Sequence, residues 1–252
     1  RWEYPFAITF PGFYALMATR HMHEFGTTRM QMSMVSVKSH KYGAMNPYAH
    51  LQKEVSLEEA MKSVPVCQPL NLYDCCLISD GAAAAILASE EKAKKITDTP
   101  VWLTGLGAGS DTMMIAERPS LVGLAATHTA AEQAYKMANV APNDIKVACT
   151  HDCFSIAEIM SYEDLGFCKK GEGGKYVEEG QSYIGGKTPV NVDGGLKSKG
   201  HPLGATGVSM AVEITKQLRS EAGKRQVPNA TIGLTHNVGE TGQYCMVHIY
   251  QR

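Results

Sequence analysis

The chain has 252 residues, with 24 Lys+Arg against 25 Asp+Glu and 44% hydrophobic residues. That length allows one large domain or two small ones, burying roughly three quarters of the extended chain's surface. The balanced charge sets up no field that favours nucleic acid or a membrane surface, so neither partner is expected and recognition must be local.

The seven cysteines, at 67, 75, 76, 149, 153, 168 and 245, are odd in number and contain no C-x-x-C pair. This argues against a disulfide framework or a zinc ribbon and fits a reducing, cytoplasmic setting. No run approaches the ~18 apolar residues of a membrane span. Arg1-Trp-Glu-Tyr-Pro lacks the pattern of a signal peptide, and Arg1 reads as an internal start.

In chain order, Phe10, Tyr14, Met17, Ala18, Met22 and Phe25 form one helical stripe that Gly26 stops. A second, methionine-rich helix follows to about His40, capped by Thr27 or Thr28 and read as core. Ser56-Leu-Glu-Glu has capping-box spacing and opens a short helix to Ser63. Residues up to about Gln68 thus read as a helical subdomain without strands. Leu70 to Ile78 and Gly81 to Ser89 are apolar runs of strand length, and Glu90 to Lys95 is a charged helical turn. Beyond Thr99-Pro100, strand and helix alternate as in an α/β domain. Strands are expected at Val101–Leu106 and Ile145–Thr150, and helices at Leu121–Ala138, Ile156–Leu165 and Ala205–Leu218, the last ended by Gly223. Gly171 to Gly186 reads as a loop, and Thr231–Thr235 and Tyr244–Tyr250 as closing antiparallel strands.

The series Gly105, Gly107, Gly109 lacks the third glycine interval and helix of a dinucleotide site. Gly195 to Gly200 lacks the Gly-Lys-Ser/Thr ending of a phosphate loop. Three other segments stand where a strand or loop gives way to a turn: His151-Asp152-Cys153-Phe154, Gly200-His201-Pro202 and His236-Asn237-Val238-Gly239. Ligands gather at such strand ends. A thiol and two imidazoles converging there suit nucleophilic or acid/base chemistry on an acyl group. Cys149, His151 and Cys153 alternate, but C-x-H-x-C is not a usual ligand spacing, so no metal is expected.

The run Asn191 to Gly207, with Gly-Gly...Gly-His-Pro-Leu-Gly-Ala-Thr-Gly, closely resembles the histidine loop of the thiolase family, and His151-Asp-Cys-Phe resembles the motif of its sterol carrier protein type. The Ser79-Asp80-Gly-Ala-Ala-Ala stretch and the helices before it are similar to that family's loop domain and following strand. The resemblance is nearest to the archaeal and bacterial acetoacetyl-CoA thiolase-like branch. It implies an α/β fold, the layered αβαβα thiolase architecture, incomplete here. Residues 1–68 would be the loop domain, 69–98 the last strand and helix of the N-terminal half, and 99–252 the C-terminal domain. The family's nucleophilic cysteine lies in the rest of the N-terminal half, which has no counterpart among these residues. Where many thiolases have Cys-x-Gly, this chain has Asn237-Val238-Gly239.

The resemblance implies acetyl-CoA C-acetyltransferase activity, a Claisen condensation of acyl-CoA or the reverse thiolysis, with a non-catalytic acyl-CoA-binding or scaffold subunit as the alternative. His201 would activate the nucleophile and line an oxyanion hole, which His151 would help fix. Gly239 would lend its N–H to a second hole, and Cys153 would exchange the proton, its pKa lowered by His151 and the following helix. Cys76, Ser79, Asn237 and Gly204 would contact substrate, Cys76 standing where many thiolases have a pantetheine-binding serine. No cofactor is implied beyond the coenzyme A thioester substrate. The implied partners are a second copy, through the missing half, and, as in archaeal relatives, a condensing synthase and a small zinc-ribbon protein.

Overall fold

The computed structural model describes Glu3, Pro5 and residues 7–252. Arg1, on which the reading of an internal start rests, lies outside the described residues. Helix α1 (Phe10–Phe25) stops at Gly26, whose N–H donates to the Met22 carbonyl at 3.0 Å. Helix α2 (Arg29–Gly43) opens on a reciprocal box: Gln31 N–H donates to Thr28 Oγ1 at 3.2 Å, and Thr28 N–H to Gln31 Oε1 at 3.0 Å. Helix α3 (Leu57–Lys62) opens on the same device with Ser56 and Glu59. Each box satisfies N–H groups that a helix start leaves unpaired. Met32 and Val35 of α2 are fully buried, so the methionine-rich helix does supply core.

Three readings of this region are corrected. Strand β1 (Pro65–Cys67) pairs with β2 (Leu70–Asn71), so residues up to 68 are not strand-free. A strand over Leu70–Ile78 does not form, because the buried Asp74 carboxylate accepts the Asn71 N–H at 2.8 Å and an Arg29 N–H at 2.5 Å, wrapping Leu72–Asp74 into a 3-10 turn. Gly81–Ser89 is not a strand either. It lies unpaired, with Ile86 95% exposed, since no described strand runs beside it. Helix α4 (Glu90–Ile96) follows and buries nothing.

The remaining elements are β3 (Trp102–Ser110), α5 (Ala125–Ala138), β4 (Val147–Thr150), α6 (Ser155–Asp164), α7 (Gly173–Glu178), α8 (Gly195–Ser198), α9 (Thr206–Leu218), β5 (Ile232–Gly239) and β6 (Tyr244–Gln251). Helix α7 interrupts the expected loop over Gly171–Gly186; α9 ends at Leu218 as expected, but Arg219 caps it, and Gly223 opens a separate 3-10 turn. The sheet has the order β3-β6-β5-β4, with β4 and β5 parallel and the other pairs antiparallel. Helices α5 and α9 cover opposite faces.

The glycines of β3 explain how α5 sits. A Cβ at Gly107 would overlap the Ala130 carbonyl, and one at Gly109 that of Ala126, so the helix backbone rests directly on the strand. On the other face Leu106 and Met246 remain about half exposed, at 45% and 47%. Helix α6 packs through the centre, with Ser155–Glu163 all buried. Among the described residues no helix is long and apolar enough to cross a membrane.

Candidate active site

A cavity of about 560 Å³ opens beyond the C-terminal ends of β4 and β5. Tyr14, Cys76, His151, Cys153, His201 and Asn237 line it, with Gly239 and an apolar wall that includes Leu77, Leu203 and Met246. The register Thr150↔His236 sets the end of β4 level with His236 of β5. The next residues therefore meet, and His151 Nδ1–H donates to Asn237 Oδ1 at 2.9 Å. After Phe154 the chain enters α6. An antiparallel bridge between Cys75 and Phe154 sets Cys76 beside Cys153, with Cys76 N–H donating to the Cys153 carbonyl at 2.8 Å.

The histidine loop is tied down along its length. Asn191 Oδ1 accepts the Thr150 N–H at 2.8 Å, linking the loop to the end of β4. Gly195, at φ +57°, lies so close to Asp152 that a Cβ would overlap the carboxylate. His201 Nδ1 pairs with Thr206 Oγ1 at 2.8 Å, and that hydroxyl donates to the Pro202 carbonyl at 3.1 Å. The threonine proton is thereby committed, so His201 Nδ1 is the donor and Nε2 carries the lone pair. The His151 and His201 rings meet edge to face, 5.0 Å apart.

Beneath the cavity lies a buried network of charges. Lys197 Nζ donates to Asp152 Oδ2 at 2.8 Å and stands 3.9 Å from Glu158, which accepts from Lys38 and, at 2.9 Å, from Asn191. Two ammonium groups face two carboxylates, so the cluster is formally neutral. Burial opposes the charge on Lys197, but Asp152 and Glu158 outweigh it and raise its pKa, whereas for Lys38 burial prevails and lowers it.

Burial also governs the titrating groups in the cavity. It pulls His151 down to about 4, helped by His201, and lowers His201 as well. Both rings are therefore neutral near neutral pH. Burial pushes the Cys153 thiol up, with the Cys76 sulfur adding to the effect, and raises Cys76 to about 11. The expected lowering of Cys153 by His151 and the helix start is thus reversed, because desolvation of a thiolate outweighs both.

The structure brings His201, His151, Cys153, Gly239, Cys76 and Asn237 together and leaves two candidates elsewhere. Ser79 and Gly204 line a separate open groove beside Pro202. Ser79 Oγ accepts the His201 N–H at 3.3 Å and pairs with His50 Nδ1 at 2.9 Å, bracing the loop from outside the cavity. His236 faces α5, with Nε2 on Thr127 at 2.9 Å, so its neighbour Asn237 is the residue that faces the cavity. Four contributors escaped the sequence reading. Thr206 and Lys197 lie within the Asn191–Gly207 run and Asp152 within His-Asp-Cys-Phe, whereas Tyr14 carries no signal that separates it from a core residue of the α1 stripe.

Residues 107–252 match the family described as thiolase C-terminal domain-like. The chain is 50% identical over 251 residues to an acetyl-CoA acetyltransferase of Methanothermobacter thermautotrophicus, covering 100% of this chain and 66% of that one. It is 43% identical over 241 residues to sterol carrier protein 2 of Bos taurus, covering 92% of this chain and 44% of that one. Among solved structures it resembles the Ltp2-ChsH2(DUF35) aldolase, with a TM-score of 0.89 and 27% identity over 99% of this chain and 66% of that one. The chain spans about two thirds, or less, of each of these longer proteins.

Proposed function

Because the chain belongs to the thiolase family, we propose that it supplies the histidine-bearing part of an acyltransferase acting on acyl-CoA thioesters. The reaction is Claisen condensation to a 3-ketoacyl-CoA or its thiolysis, with acetoacetyl-CoA as substrate or product. The observation that carries this reading is the convergence of His201, His151, Cys153 and Gly239 on one cavity. His201, neutral and with Nε2 bare, takes the proton of a nucleophilic thiol supplied from outside these residues. The imidazolium so formed then donates from Nε2 to the oxyanion of the tetrahedral intermediate. His151, held by Asn237, fixes the ring of His201. Gly239 lends its N–H to the second oxyanion, and Cys153 exchanges the proton at the α-carbon. Preorganised donors of this kind contribute about 3–4 kcal/mol each.

Cys76, beside Cys153, contacts pantetheine. The division of the chain at residues 68 and 98 belongs to the same reading, as does assembly with a second copy. A partner protein is supported by the Ltp2-ChsH2(DUF35) aldolase, whose name joins two components.

That structure also favours a second reading, aldol cleavage, which shares the enolate but needs no acyl-enzyme. The two are separated in a protein of the relatives' full length carrying these residues. Cleavage of acetoacetyl-CoA that consumes free coenzyme A supports the thiolase reading, and Cys153→Ala should then slow turnover at least ~10²-fold while acylation of the nucleophile persists. Cleavage of a β-hydroxyacyl-CoA without free coenzyme A, and none of acetoacetyl-CoA, would replace it.

A further inference from the structure

Tyr14 belongs to α1, 1% exposed, with its ring stacked on Phe154 at 4.7 Å between centroids. The residue lines the cavity beside Cys153, and its hydroxyl finds no hydrogen-bond partner among the described residues. A buried hydroxyl left unpaired destabilises a fold, and phenylalanine would fill the same space without that penalty. The hydroxyl thus has its proton free to donate at the cavity wall.

The groups around the Cys153 sulfur narrow the acceptor. Cys76 and Asp152 both disfavour a thiolate there, and only Tyr14 and Lys197 favour one. Lys197 is committed to the Asp152 carboxylate at 2.8 Å and to the Asp152 carbonyl at 3.1 Å. His151 and His201 have their Nδ1–H groups committed to Asn237 and Thr206. Tyr14 is the uncommitted donor.

We propose that the Tyr14 hydroxyl donates a hydrogen bond to the Cys153 sulfur whenever that sulfur carries negative charge, making Tyr14 a positioning residue for proton exchange at the substrate α-carbon. The proposal rests on the acid/base role assigned to Cys153. In condensation the thiolate takes the α-proton, the C–H electron pair passes into the enolate, and Tyr14 keeps its own proton while releasing the sulfur. In thiolysis the thiol gives its proton to carbon, and Tyr14 donates to the thiolate left behind. The helix α1 thus supplies a donor to the chemistry as well as a wall to the cavity.

The test is Tyr14→Phe, which keeps the stacked ring, in the full-length protein. Alkylation by iodoacetamide at about pH 9 is followed at Cys153 by peptide mass spectrometry, relative to Cys76 in the same cavity. The relative rate should fall about tenfold, the change in thiolate fraction for one pKa unit. Turnover should fall about tenfold with KM within about twofold, and the melting temperature should stay or rise, because no hydrogen bond of the resting fold is lost. A relative alkylation rate that is unchanged or higher overturns the proposal. If the rate falls but the wild-type protein proves to have no thiolase activity, the Tyr14–Cys153 bond stands and the functional reading fails.

Discussion

Asp152, between His151 and Cys153, accepts a hydrogen bond from Lys197 Nζ at 2.8 Å, and both side chains are fully buried. Asp152 Oδ1 also accepts the Leu196 N–H at 2.8 Å, so this carboxylate clamps the His151-Asp-Cys-Phe segment to the loop that carries His201. Removing one partner leaves the other charge buried and alone, which costs about 3–5 kcal/mol. Lys197→Met should therefore lower stability by that amount in urea denaturation and depress turnover. The double variant Asp152→Asn/Lys197→Met should recover part of the stability but not the activity. A Lys197→Met protein as stable as wild type would show that the pair does not clamp.

The contact of α5 with β3 sets a second expectation. Gly107→Ala places a methyl against the Ala130 backbone, which cannot move as a side chain could, so a loss of about 3 kcal/mol is expected. At Gly204 a Cβ meets nothing within 4 Å, and Gly204→Ala should stay within about 0.5 kcal/mol. Equal midpoints for the two variants in denaturant would refute the packing argument.

Acid should weaken the fold earlier than carboxylates alone would allow. His151 is lowered to about 4, and His236 to about 3 by burial and then by His151. The unfolded chain binds protons at these positions from about pH 6.5 downward while the fold resists them. Their stabilisation is complete above about pH 6.5 and is lost as pH falls toward 4 and 3, on the order of 3 kcal/mol per histidine by pH 4. Urea midpoints at pH 7, 6 and 5 should fall, and His236→Gln, which keeps a donor to Thr127, should flatten the decline. An identical slope in that variant would exclude His236 from the effect.

The unpaired stretch 79–89 carries the fourth prediction. Its backbone N–H groups have no ladder in this chain, so their amides should exchange freely. In a protein of the relatives' length, a neighbouring strand from the added residues should slow them by roughly a hundredfold. Equal exchange rates in the two proteins would mean that the stretch is a linker.

The local sequence determined what local chemistry decides. Thr28 with Gln31 and Ser56 with Glu59 set helix starts because the partners sit three residues apart, and the apolar stripe ended by Gly26 gave α1. The three motifs were legible as turn chemistry at strand ends, and six of the eight proposed site residues line one cavity. Tertiary structure decided the rest. Adjacent residues of a strand face opposite ways, and nothing local says which face α5 covers, so only packing sends His236 to Thr127 and Asn237 to His151. The small, apolar run Gly81–Ser89 has strand composition but no neighbour to pair with, and a strand is a property of two chains side by side. The Cys153 pKa rises because the fold buries the thiol and sets Cys76, far away in sequence, beside it, and desolvation of an ion depends on everything around it rather than on its neighbours along the chain.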